Sequence, residues 1–225
     1  MRESVFERIT NETKITVKIN LDEALERGAS DSGGASDVGS SLSGVNSAGG
    51  VTSSGCGAHI NTGIGFFDHM LDLFAFRAGI TLSVECEGDL EVDGHHTVED
   101  VGICLGKAVL KALGDKKGIT RYGEASIPMD ECLANCVLDI SGRPFLVFNA
   151  DFHTARAGDF EAELTEEFFR AVAFNSDMTL HINMLYGKNT HHMIEAIFKA
   201  FGCAFKMAIN INSGSEIIQS TKGVL

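Results

Sequence analysis

A chain that carries one nineteen-residue pattern twice is built from two related halves. Residues 95–113 read HHTVEDVGICLGKAVLKAL and residues 191–209 read HHMIEAIFKAFGCAFKMAI, six identities in nineteen at an offset of 96. Upstream, Thr81-Leu82 matches Thr179-Leu180 and Ala75-Phe76 matches Ala173-Phe174, both at an offset of 98. The two-residue difference falls in the turn between a strand and the helix that follows it. Internal self-similarity at a fixed offset marks a duplicated structural unit.

The alternation of Ile15, Val17 and Ile19 with Lys14, Thr16 and Lys18 predicts a hairpin over 3–10 and 13–20, with Asn11-Glu12 between the strands. A short strand is expected at 58–61, a helix over 66–74, a strand at 80–84, and a helix from His95 to Leu113 that stops at Gly114. The second half predicts strands near 120–128, 131–140 and 144–150, a helix over 161–175, a strand at 178–184 and a helix over 190–209. The expected fold is α/β (α+β), two pseudo-symmetric βββαβα half-domains, each a four-stranded sheet with two helices. Residues 1–114 form the first half and 115–225 the second, together one compact unit. Residues 28–57 interrupt the pattern. Eighteen of these thirty are Gly or Ser, without aromatics or periodicity, so they read as a flexible insertion that replaces a short turn.

The repeated block opens on His95-His96-x-x-Glu99 and on His191-His192-x-x-Glu195. On a helix the first His and the Glu share one face, one turn apart, while the second His points about 100° away. One copy alone is equally well a helix start with surface histidines; the matched pair selects metal ligation. The offset of 98 adds His69 and Glu167, placing a donor on the preceding helix of each half. Eight candidate ligands result: His69, His95, His96, Glu99, Glu167, His191, His192 and Glu195. Imidazole and carboxylate donors suit divalent first-row ions, and eight serve two metals with room left for a substrate.

The formal net charge of −13 excludes a general nucleic-acid binder, and no apolar run reaches the ~20 residues of a membrane span. The first ten residues, MRESVFERIT, lack the apolar core of a signal peptide, so a cytoplasmic chain is expected. The six cysteines show no CxxC pair and no disulfide-dense spacing, and Cys132 and Cys136, on one side of an expected strand, read as buried free thiols rather than ligands.

TGIGFFDHML (62–71), HHTVEDVGICLG (95–106), PMDE (128–131), LDISGRP (138–144), GKNTHHMIEAIFKAFG (187–202) and STKGVL (220–225) together resemble the signatures of the imidazoleglycerol-phosphate dehydratase family of histidine biosynthesis. The resemblance covers nearly the whole chain outside 28–57. It implies two halves of the ribosomal protein S5 domain 2 type, a homo-oligomer of 24 subunits, and two Mn²⁺ ions per active site at subunit interfaces. The implied reaction is dehydration of D-erythro-imidazole glycerol phosphate to imidazole acetol phosphate. It would pass through a dimetal-bound imidazolate, with loss of hydroxide, a diazafulvene-like intermediate, an enol and then the ketone.

Seven of the eight candidates match the family's ligand positions. The eighth, Glu167, stands where many members have His, and Arg77 stands where many have a His that lines the substrate site. Glu12 matches the acid/base glutamate and also a substrate contact, and Glu195 joins it as a catalytic carboxylate. Arg121, Arg143, Lys199, Ser220, Thr221 and Lys222 match substrate or phosphate contacts. From the residues alone, Glu12 reads as a solvated hairpin-turn residue and Arg121 and Arg143 as salt-bridge partners. The expected partners are thus a small phosphate substrate and further copies of the chain, with neither nucleic acid nor membrane. Two other readings use the same ligands. A dinuclear metallohydrolase needs a metal-bound water and no imidazole in its substrate; a metal-binding protein without activity has no use for a cluster of phosphate-binding cations.

Overall fold

In a computed structural model, residues 1–22, 58–212, 217–223 and 225 are described. The Gly/Ser-rich stretch 28–57 lies outside them. The first half contains β1 (Glu3–Ile9), β2 (Thr13–Asn20), β3 (Ala58–Asn61), α1 (Gly65–Ala78), β4 (Thr81–Gly88) and α2 (His95–Leu113). The second contains β5 (Tyr122–Met129), β6 (Cys132–Asp139), β7 (Phe145–Asn149), a ribbon of β8 (Arg156–Ala157) and β9 (Phe160–Glu161), then α3 (Leu164–Asn175), β10 (Thr179–Tyr186) and α4 (Thr190–Ile209). The sheets run β1-β2-β4-β3 and β5-β6-β10-β7. That is one topology used twice, with the third strand parallel to the fourth in each. The predicted helix over 161–175 is corrected to start at Leu164, because Glu161 pairs with Arg156 in the ribbon. Two-residue strands are too short to leave a period in the sequence.

Alternation decides the strands. Ile15, Val17 and Ile19 are buried, while Lys14 and Lys18 face solvent. The last helix of each half lies on its own sheet, α2 on β1 and β2, α4 on β5 and β6. The first helix of each half instead packs against the last helix of the other, α1 on α4 and α2 on α3. The layers therefore run sheet, helices, helices, sheet, and one hydrophobic cluster draws on both halves. Phe74 stacks on Phe201 at 5.0 Å between ring centroids and Phe168 on Phe198 at 5.3 Å.

Gly106 and Gly202, an identical pair in the repeat, sit at the two helix crossings. A Cβ on Gly106 would lie 2.8 Å from the Val172 carbonyl oxygen, and one on Gly202 would lie 2.9 Å from that of Phe74. Close helix approach requires the missing side chain at both places. Cys86, Cys104, Cys132 and Cys136 are buried free thiols; burial pushes Cys104 up to about 12, which keeps it protonated and inert. None of the described helices is long and apolar enough to cross a membrane.

Candidate active site

Both histidine pairs stand on the first turn of a helix, as the spacing predicts. Asn189 caps α4, its Oδ1 accepting from the backbone N–H of His191 at 2.9 Å and of His192 at 3.3 Å. At the start of α2, Asp93 accepts from the His95 N–H at 2.8 Å. The i,i+4 geometry then sets His95 Nε2 3.9 Å from Glu99 Oε2 and His191 Nε2 3.3 Å from Glu195 Oε2. Adjacent rings are splayed nearly at right angles, 85° for His95 and His96 and 81° for His191 and His192. Neither histidine pair therefore faces a single point.

α1 packs on α4, and the charge of His69 on α1 reaches Glu195. Burial alone would raise the Glu195 carboxyl, but the hydrogen bond and charge of Lys199, with the charges of His69 and His191, outweigh it and hold the group below the usual range. Lys199 Nζ meets Glu195 Oε1 at 2.5 Å and Met129 Sδ at 3.3 Å, so this predicted substrate contact is engaged within the chain. Glu167, on α3, pairs with Arg170 at 3.6 Å. Arg77 lies exposed at the end of α1 with its guanidinium 5.4 Å from the Phe76 ring centroid.

Two ligands about 2.1 Å from a shared ion sit about 3.0 Å apart at a right angle and about 3.4 Å apart at the tetrahedral angle. The 3.3 Å of the second His–Glu pair already meets that requirement. The first, at 3.9 Å, needs a small closure. The donor sets therefore fit a divalent ion as two-donor chelates. Among the described residues, no group of three His, Cys, Asp or Glu side chains closes around one position.

Glu12 sits on the β1–β2 turn. Buried Asp100 ties that hairpin to α2 by accepting from Arg8 Nε at 3.0 Å and from Thr13 Oγ1 at 2.5 Å. Glu12 Oε2 is thereby held 4.0 Å from His96 Nδ1, with the glutamate side chain half exposed. Three carboxylates that sequence reasoning passed over touch the same rings: Asp89, 3.0 Å from His96 Nδ1; Glu131, 2.8 Å from His192 Nδ1; and Asp130, 3.9 Å from His192 Nε2. The available signal was PMDE, whose Glu131 precedes β6 as Glu12 precedes β2. The His192 contact, then the Asn189 N–H, hold Glu131 down to about 2, and the Asp89 contact raises His96.

A separate cleft of about 720 Å³ is lined by Arg121, Arg143, Ser220, Thr221 and Lys222 among others, which brings five of the predicted substrate contacts together. Arg121 is buried and spends its fork on Asp139, at 2.7 and 3.0 Å, and on the Gln219 carbonyl at 2.5 Å. Its left-handed backbone (φ 77) is pinned by the Ala208 carbonyl on one side and the Ile140 N–H on the other. Arg121 thus anchors the C-terminal segment to the cleft. Arg143, with its side chain 66% exposed, approaches Asp139 at 3.8 Å and donates a long 3.5 Å hydrogen bond to the Ser141 carbonyl, which leaves most of its guanidinium open to the cleft.

Two halves of one topology, each opening its last helix on a His–Glu pair, and a basic cleft define a duplicated α/β protein with a paired imidazole–carboxylate site. The family model described as imidazoleglycerol-phosphate dehydratase matches residues 62–205. A Listeria monocytogenes (serovar 1/2a) protein of that name is 48% identical over 225 residues, covering all of both chains. The crystal structure of the Staphylococcus aureus imidazoleglycerol-phosphate dehydratase is similar with a TM-score of 0.71 at 40% identity, over 93% of this chain and 100% of that one. The Pyrococcus furiosus structure, in complex with (S)-C348, gives 0.73 at 31% identity over 98% and 100%. The chain belongs to the imidazoleglycerol-phosphate dehydratase family.

Proposed function

We propose that this chain is a hydro-lyase of histidine biosynthesis that removes water from D-erythro-imidazole glycerol phosphate to give imidazole acetol phosphate. The observation that carries the reading is the doubled His–Glu chelate, one on each half, within a chain of this family. Two divalent ions, Mn²⁺ in this reading, would be held by His191, Glu195 and His69 and by His95, Glu99 and Glu167. His96 and His192, turned away from those sets, complete the sites between copies in a 24-subunit homo-oligomer in the cytoplasm. Exposed Ile9, Leu185 and Tyr186 supply apolar surface for such contacts. Bound there, the ions supply Lewis-acid stabilisation to the substrate imidazole while the neighbouring carbon loses its proton.

The chain's own groups do the rest. The Glu12 carboxylate, on a turn fixed to α2 through Asp100, takes the carbon-bound proton and in its protonated form serves as the acid that follows. Arg143, Ser220, Thr221 and Lys222 receive the phosphate in the basic cleft, while Arg121 holds that cleft together. Arg143→Ala should raise KM by about 10- to 100-fold, the loss of one charge-assisted hydrogen bond pair, with kcat nearly unchanged; steady-state kinetics on the phosphate substrate read both.

The test is turnover. Purified chain loaded with Mn²⁺ should convert imidazole glycerol phosphate to the enol and ketone. A fully loaded, assembled chain that forms no product overturns the assignment.

A further inference from the structure

Glu12 and Glu131 are internal counterparts that the two halves use differently. Each directly precedes the second strand of its hairpin, β2 or β6, and each stands beside the second histidine of its own half. In the second half the turn is tight, because Met129 pairs with Cys132 and leaves Asp130-Glu131 as its two residues. Glu131 then divides its oxygens. Oε1 accepts from the Asn189 N–H at 2.8 Å, and Oε2 meets His192 Nδ1 at 2.8 Å. One carboxylate fixes both the start of α4 and the plane of the ring.

In the first half Ile9 pairs with Lys14, so four residues make the turn, and Glu12 remains 4.0 Å from its histidine. His96 Nδ1 is met instead by Asp89, at 3.0 and 3.3 Å, from the connection between β4 and α2. The position corresponding to Asp89 in the second half, after β10, is Gly187. A Cβ there would lie 2.6 Å from Cys132 Sγ and 2.8 Å from Met193 Cγ, so that connection has no room for a carboxylate.

We infer that Asp89 and Glu131 are equivalent positioning residues, each accepting the Nδ1 proton of its histidine so that Nε2 presents the ligating lone pair, and that Asp89 thereby leaves Glu12 free to move protons. The inference rests on the reading that His96 and His192 bind metal. A carboxylate on the far ring nitrogen fixes tautomer and orientation and strengthens the donor. The duplicated hairpin glutamate has thus taken two roles, orienting in one half and transferring protons in the other, because a different residue carries the orienting task in the first.

Asp89→Asn, Glu131→Gln and Glu12→Gln in the full chain separate these roles. Gln at 131 keeps an oxygen for the Asn189 N–H, which protects the start of α4. Imidazole NMR of the metal-free chain reads the His96 and His192 tautomers, and calorimetric titration with Mn²⁺ reads affinity. Asp89→Asn and Glu131→Gln should each shift the tautomer of the adjacent ring and weaken Mn²⁺ binding by about 10- to 100-fold. Glu131→Asp should restore part of the loss, and Glu12→Gln should leave Mn²⁺ affinity within about twofold of wild type, far short of the loss expected where a ring loses its orienting carboxylate. Wild-type tautomers and affinity in both Asp89→Asn and Glu131→Gln overturn the inference, as does Glu12→Gln weakening Mn²⁺ as much as Asp89→Asn. A wild-type chain that takes up no Mn²⁺ overturns the underlying metal reading instead, and the metal-free tautomers still report on the contacts themselves.

Discussion

Glu12→Gln should lower kcat by about 10²- to 10⁴-fold, the range general acid–base groups contribute, while KM and Mn²⁺ binding stay near wild type. Gln keeps the size and the polar surface of the side chain but has no proton to take or give near neutral pH. The turn that carries it is held by other groups: Thr10 Oγ1 accepts from the N–H of Glu12 at 3.1 Å and of Thr13 at 2.9 Å, and Asp100 ties the hairpin to α2. Among the described residues the Glu12 carboxylate makes only the 4.0 Å approach to His96, so its replacement should leave thermal stability near wild type. Steady-state kinetics of the metal-loaded variant decide the matter, and unchanged turnover removes Glu12 from the mechanism.

The largest effect on stability is expected at Gly123, on β5 under α4. An alanine Cβ there would lie 1.8 Å from the Ala204 carbonyl oxygen and 2.7 Å from its carbonyl carbon. Both atoms are helix backbone, so α4 must lift from its sheet rather than rotate a side chain. Overpacking of this kind costs about 3 kcal/mol or more, which for a chain of this size lowers Tm by about 6–12 °C. Gly114→Ala offers the contrast. Beyond its chain neighbours, no described atom lies within 4 Å of a Cβ at that site, so the change is opposed by backbone strain alone, at φ 57° and ψ −125°, a cost of about 1–3 kcal/mol. Because α4 carries His191, His192 and Glu195, Gly123→Ala should also weaken metal binding. A Tm within a degree or two of wild type would contradict the close seating of α4.

Duplication made much of this fold legible. Matching offsets reveal which elements correspond, so the βββαβα order and both histidine-bearing helix starts followed from sequence comparison within one chain. Correspondence is not contact, however. That α1 packs on α4 and α2 on α3 depends on how the sheets face each other, which no offset records. Glycine does leave a trace: Gly106 and Gly202 are an identical pair in the repeat, and each sits at a helix crossing. The ribbon at 156–161 was illegible because two residues carry no periodicity. Asp89 and Glu131 were missed for a different reason. Glu131 reaches His192 from a two-residue turn where the turn of Glu12 has four, and Asp89 reaches His96 from the β4–α2 connection; such differences look trivial in one dimension. Arg121 was legible as the salt-bridge partner its residue type favours, whereas its hold on the Gln219 carbonyl at the edge of the cleft was not.

The proposed mechanism makes the two His–Glu pairs one reaction centre rather than two independent ones. The direct measurement is turnover, with bound Mn²⁺ counted in parallel, for chains carrying either His95→Ala or His191→Ala. Each variant should lose one class of Mn²⁺ site and have its turnover fall to background, because the chemistry needs both. A variant that keeps about half the wild-type rate would show that each chelate works alone, and would contradict the account.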